Sequence, residues 1–321
     1  MNRLRTITSA LILAALLTSP LYGYVTQKGL SSTNSIVQVK WGSGAVTWQM
    51  NPTAGPNLGG SREFGDVIRQ SFRSWASVPT ALIKFTEGSP VGDKFAYDGK
   101  NVVVTNMTSN DWTALGLSSS VLAFTAVSWS GKGAGVDRTG QPVSFEGQIM
   151  DADIVFNPYY EFSTDDIVPP AKIDFQGVLT HEIGHFLGLD HSPNVSSMMF
   201  WTTLRGVSSQ RALTTDDMAG ISVIYPSDSF ASKSTLKGTV RTTANVPVYG
   251  AIVVALNSSG QPAASTITDP NGQYSIMGLD PGLYTVYAQA LEGFTSSGNF
   301  NTLSDIYPGM KINLGFALRF R

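Results

Sequence analysis

Between residues 61 and 77, Phe64, Val67, Ile68, Phe72 and Trp75 recur at helical spacing. A Ser at the start as N-cap candidate and Pro79 beyond the end predict an amphipathic helix over 61–77, laid on a sheet. The segments 35–40, 45–49, 82–85, 101–104, 121–128 and 150–156 are short, rich in Val, Ile, Phe or Thr, and bounded by Gly, Pro or Asn, as strands are. A second helix is expected from Asp174, its cap, to Leu187, ending at Gly188. A third is expected over 215–224, stopped by Pro226. The first 226 residues therefore read as α+β. After 227–233, a linker by its Ser, Asp and Lys content, no helical period returns. Apolar runs at 236–241, 251–256, 273–276 and 283–288 are separated by Asn-Ser-Ser-Gly, Asp-Pro-Asn-Gly and Asp-Pro-Gly, the turn rhythm of a small all-β sandwich over 234–291. The tail, 292–321, contributes a final strand at 310–320 in this reading.

Composition narrows the class. The chain has 321 residues, 42% hydrophobic and 14% charged, with a net charge of −2. It is long enough for one sizeable core and a smaller second domain. No basic field or Lys/Arg cluster is present to grip a phosphate backbone, so nucleic acid is not an expected partner. Arg3 and Arg5 precede the apolar run 10–17, followed by Pro20 and Gly23, which reads as an export signal over 1–23 with the mature chain starting near Tyr24. The run is too short to span a bilayer, so the expectation is a secreted, extracellular protein without stable membrane insertion. There is no Cys, so packing or bound metal, not disulfides, must stabilise the exported chain.

The chemistry concentrates in His181-Glu182-Ile183-Gly184-His185-Phe186-Leu187-Gly188-Leu189-Asp190-His191, which holds the chain's three histidines. Imidazoles at i and i+4 lie on one helix face and can share a tetrahedral ion. Glu182, one position on, is aimed not at the metal but at a metal-bound water. Gly188 permits the backbone to leave the helix so that His191 swings back as a third nitrogen ligand. Three protein ligands leave one position open, the pattern of a catalytic zinc. Zinc would lower the pKa of its water towards roughly 7 and polarise a carbonyl, and Glu182 would act as general base.

This segment resembles the metzincin metallopeptidases, and the Leu-Gly-Leu-Asp-His-Ser wording from Leu187 is similar to the matrixins in particular. The resemblance covers residues 36–226. It includes Trp48 with Asn51-Pro52, the helix around Trp75, Asp151-Ala152-Asp153 and Asp216-Asp217. It implies a metzincin-like domain over 24–226, a twisted mixed sheet with helices that carries one catalytic zinc on its active-site helix. It also implies a methionine turn, here Met199, packed beneath the imidazoles as support. Protein or peptide substrates are implied to lie extended against 121–128, and Leu122, Phe124, Phe200 and Trp201 are candidate substrate contacts. The turn sequences after 234 are similar to carboxypeptidase regulatory-like β-sandwich domains.

The chain also departs from the pattern. Without Cys, the matrixin cysteine latch is missing, and with all three histidines committed there is no second His-based zinc site. Phe200-Trp201-Thr202 replaces the matrixin Pro-x-Tyr wall, and no tyrosine partner is assigned to the transition state. Asp151 and Asp153 are compatible with Ca2+ but too few to define a cage, and read better as a solvated strand end. Asp216 and Asp217 read as capping residues of the last helix. The alternative to a secreted zinc endopeptidase is an exported binding or adhesion protein with a structural or vestigial zinc site. Glu182 favours the enzyme, because a structural site needs no general base.

Overall fold

In the computed structural model, which describes residues 25–42, 45–92, 94–291, 297–300, 303, 306–307, 309–316 and 319–320, strand Gln148–Phe156 runs through the middle of a six-stranded mixed sheet. The expected export signal lies outside the described residues. Nearly every position of this strand is buried on both faces, Asp151 and Asp153 included, so its apolar residues do not alternate with exposed ones. Lys40–Trp41, Val102–Val104, Ala45–Met50 and Lys84–Glu87 run parallel to their neighbours. Ala123–Trp129 alone pairs antiparallel, from Phe156↔Ala123 to Ile149↔Trp129, with a bulge between Ile149 and Asp151. It has no other strand partner among the described residues, so its outer edge is open.

Four α-helices are described: α1 (Phe64–Ala76), α2 (Ser109–Ala114), α3 (Phe175–Phe186) and α4 (Thr215–Ile224). The apolar stripe of α1 is buried against the sheet, with Phe72 stacked on Trp48 at 4.3 Å between ring centres. On the same stripe, Trp75 donates its indole N–H to the Thr180 carbonyl of α3 at 2.8 Å. The helix begins three residues later than its sequence suggests. Ser61 is not the cap: Glu63 occupies that position without a side-chain bond, and the Ser61 N–H donates to Asp165 at 2.7 Å. The short α2 lacks apolar periodicity, so the pattern of the sequence does not predict it.

Asp151 and Asp153 are not a solvated strand end: both are buried. Asp151 accepts the N–H groups of Asp98 and Gly99, and Asp153 those of Ala96 and Val102, so the loop leading into Val102–Val104 is folded around two carboxylates. Burial pushes the Asp153 carboxyl up to about 7, against the pull of its N–H donors. An acid raised in the folded state contributes stability that is present at pH below about 4 and is lost as pH rises through 7. The stability advantage of wild type over Asp153→Asn is therefore expected to shrink between pH 4 and 7.5. Urea midpoints of the two proteins at several pH values check this, and a constant difference would contradict it.

After α4 a 3-10 turn, Asp228–Ser232, leads to the all-β domain; Ser227 and Ser229, at its start, bond to the Pro79 and Thr80 carbonyls. In that domain Ser234–Thr239 pairs with Gln273–Leu279, facing a sheet ordered Pro262–Ile267, Ile252–Leu256, Thr285–Gln289, Arg319–Phe320. The architecture is thus α+β followed by an all-β domain. The strand Pro262–Ile267 is absent from the sequence reading. Its Ala-Ala-Ser-Thr centre carries little apolar signal, yet it is buried because α4 packs on it, with Thr215 donating to the Ala263 carbonyl at 2.7 Å. In the expected last strand, 310–320, only Arg319–Phe320 pairs among the described residues. Among the described residues no helix is long and apolar enough to cross a membrane.

Candidate metal centre and cleft

The site is built on α3. Asp174 caps the helix by accepting from the Gly177 N–H, and its carboxylate is gripped by Arg211 through two bonds of 2.8 and 2.7 Å. The other end would leave carbonyls unpaired at a buried helix terminus. Trp41 donates to the Phe186 carbonyl, Tyr225 to that of Leu187, and the Gln27 N–H to that of Gly188. These three long-range bonds fix the direction in which the chain leaves. Gly188 itself has φ +93, and a Cβ there would collide with the Val39 carbonyl oxygen. Both facts demand glycine.

The exit brings His191 back over α3. Ring centres of His181, His185 and His191 stand 4.8 to 5.2 Å apart, and among the described residues these three form the one cluster of His or acidic side chains that could hold a metal. Each Nδ1 meets a backbone carbonyl: His181 that of Met198 at 2.8 Å, His185 that of Leu189 at 2.9 Å, His191 that of Asn299 at 2.6 Å. A carbonyl can only accept, so each Nδ1 carries the proton and each Nε2 keeps its lone pair. The Nε2 atoms of His185 and His191 lie 3.3 Å apart with no hydrogen to share. Two nitrogens bound tetrahedrally to one zinc at about 2.0–2.1 Å would stand about 3.3–3.4 Å apart. The donor set therefore fits zinc. Burial also disfavours protonation, holding His181 down to about 3 and His185 well below the usual imidazole range.

Glu182 is buried beside this cluster. Thr125, on the open-edged strand, donates to its Oε2 at 2.6 Å and also reaches its carbonyl at 3.0 Å. Burial pushes the Glu182 carboxyl up to about 7, with the Thr125 bond acting in the opposite direction. A cation held by the histidines would draw it down again. Met199 is buried under the helix, where a Cβ on Gly184 would strike its sulfur, so helix and methionine are in the closest approach that glycine permits. Asp217 holds that turn: it accepts from the Ser197 hydroxyl and from the N–H groups of Met198 and Met199, while completing the capping box of α4 with Thr214. Asp216 accepts from the Ser192 hydroxyl and from Ser265 of the all-β domain. The two aspartates are thus more than the capping residues expected of them.

A cleft of about 530 Å3 opens over the three histidines and Glu182. Leu122, Phe124, Phe200 and Trp201 all line it. The Phe124 ring packs on the cluster of Val102, Val104, Met107 and Val155, whereas Leu122 packs on the main core. The indole N–H of Trp201 is buried without a partner. Thr125 and Asn299 also line the cleft, and sequence reasoning misses both. Thr125 is visible as a polar residue in an apolar strand, but nothing local marks Asn299.

A family model described as Matrixin matches residues 40–226, and one described as Carboxypeptidase regulatory-like domain matches 235–303. Over 55 residues, 17% of its length, the chain is 45% identical to Metalloendoproteinase 1-MMP of Arabidopsis thaliana. It is 44% identical to Matrilysin of Mus musculus and 47% identical to Matrilysin of Rattus norvegicus over stretches of the same length. These matches take in 15%, 21% and 21% of the respective relatives, so the chain spans about a fifth or less of the curated proteins it matches.

Proposed function

The chain belongs to the matrixin family, and from that premise we propose that it is an exported zinc-dependent endopeptidase acting on proteins or peptides. The observation that carries this reading is the pair of facing Nε2 lone pairs on His185 and His191, with His181 beside them and one carboxylate adjacent. Lone pairs turned towards one another repel unless an electrophile lies between them. His181, His185 and His191 would hold the zinc through Nε2. When bound, the metal makes a water acidic enough to ionise near neutral pH and polarises the scissile carbonyl.

The remaining work falls to the chain. The carbonyls of Met198, Leu189 and Asn299 keep the rings in the Nδ1–H tautomer. Glu182, kept in place by Thr125, accepts a proton from the attacking water and delivers it to the departing amine. The open edge of Ala123–Trp129 offers unpaired backbone groups to an extended peptide, which would add as an antiparallel strand. Leu122, Phe200 and Trp201 would contact its side chains. Gly188 and Met199 hold the geometry without touching substrate.

Purified protein is expected to contain about one zinc and to cleave an unfolded protein. Cleavage should vanish when a chelator strips the metal and return when zinc is restored. Mass spectrometry of the fragments would define the preferred bond. Cleavage that survives complete metal removal would overturn the assignment.

A further inference from the structure

Two of the three histidines find their Nδ1 acceptors nearby, His181 in the methionine turn and His185 in the loop after its own helix. His191 does not. Its acceptor, the Asn299 carbonyl, lies 108 residues further on, in the Ser297–Asn299 turn, inside the region matched by the carboxypeptidase regulatory-like model. The turn is anchored by Phe300, 0% exposed, which packs with Leu303, Tyr249, Ile252 and Val254 in one core of the all-β domain. A second contact reaches the same loop from that domain. Buried Asp216 accepts the Ser265 N–H at 2.6 Å and the hydroxyl of Ser192, the residue after His191, at 2.6 Å.

We infer that the C-terminal domain completes the metal centre, with the Asn299 carbonyl fixing the ring and tautomer of His191. The inference rests on the zinc site proposed above. His191 sits on an irregular loop, so no helix sets its ring angle as α3 does for His181 and His185. With no acceptor at Nδ1 the ring can turn, or move its proton to Nε2 and lose the lone pair the metal needs. Asn299 is accordingly a positioning residue, and Gly298 and Asn299 make the domain one wall of the cleft as well.

The test uses the full chain and reads zinc affinity by competition with a chromophoric chelator. Phe300→Ala, which frees the turn, is expected to raise the zinc dissociation constant about 10–100-fold. Phe300→Leu should restore most of the affinity, and Ile276→Ala, in the other core of the same domain, should leave it unchanged. In zinc-loaded, 15N-labelled protein the His191 Nδ1 proton should become fast-exchanging in Phe300→Ala, while those of His181 and His185 persist. Leu303→Ala, a smaller lesion at the same anchor, serves if Phe300→Ala does not fold. Wild-type affinity in the folded variants, or an equal loss in Ile276→Ala, would overturn the inference and leave the zinc site standing. A wild-type protein that binds no zinc would remove the site itself.

Discussion

Glu182→Gln is expected to keep its zinc and lose about 10²–10⁴-fold in kcat/KM for peptide cleavage, the usual range for removing a general base. The substitution is isosteric, and an amide oxygen can still accept the Thr125 hydroxyl that positions the carboxylate at 2.6 Å. None of the three imidazoles or their carbonyl acceptors is touched. Only proton transfer is removed, so the loss should fall on kcat with metal content unchanged. Zinc content by atomic absorption and steady-state kinetics on one peptide decide the matter. Wild-type rates would exclude Glu182 from the chemistry. Loss of metal along with activity would show that the residue shapes the site instead.

The second large effect is expected at Gly188, where the lesion is geometric. At φ +93 an Ala side chain is strained by about 1–3 kcal/mol, and its Cβ would also collide with the Val39 carbonyl oxygen. The atoms in the way, from Val39 and Lys40, are backbone rather than flexible side chain, so the backbone after α3 must move, and His191 moves with it. Gly188→Ala should therefore melt several degrees lower without metal. Its thermal stabilisation by added zinc should also shrink, because that stabilisation follows the ratio of free zinc to the dissociation constant. Calorimetry with and without zinc separates the two effects. An undiminished zinc-dependent shift would mean that the exit from the helix can be rebuilt without displacing the third imidazole.

Local pattern suffices where a residue's role depends on its near neighbours in the chain. The positions of His181 and His185 follow from the helical period, and the need for Gly188 follows from the bend required before His191. The amphipathic stripe from Phe64 to Trp75 and the turn dipeptides after residue 234 likewise carried their structure in a few neighbouring residues. Local pattern misleads where a residue's partner is remote. Ser61 resembles a cap but is engaged by Asp165, and Asp151 and Asp153 resemble a solvated end but organise a loop some fifty residues earlier. Asp216 resembles a helix-start charge but joins the two domains.

The sequence by itself determined the three imidazoles and their spacing, the carboxylate beside them, the α+β class of the first 226 residues and the all-β character of the C-terminal domain. Helical period, glycine freedom and turn chemistry act over a handful of bonds, and those are written in consecutive residues. Tertiary structure alone decided which carbonyls orient the rings of His181 and His191, that Thr125 holds Glu182, and that the C-terminal domain reaches His191. The contacts of His181, Glu182 and His191 join groups separated by 17 to 108 residues, and no local preference encodes them. They arise because the packed cores bring distant backbone groups together and each must then find a partner.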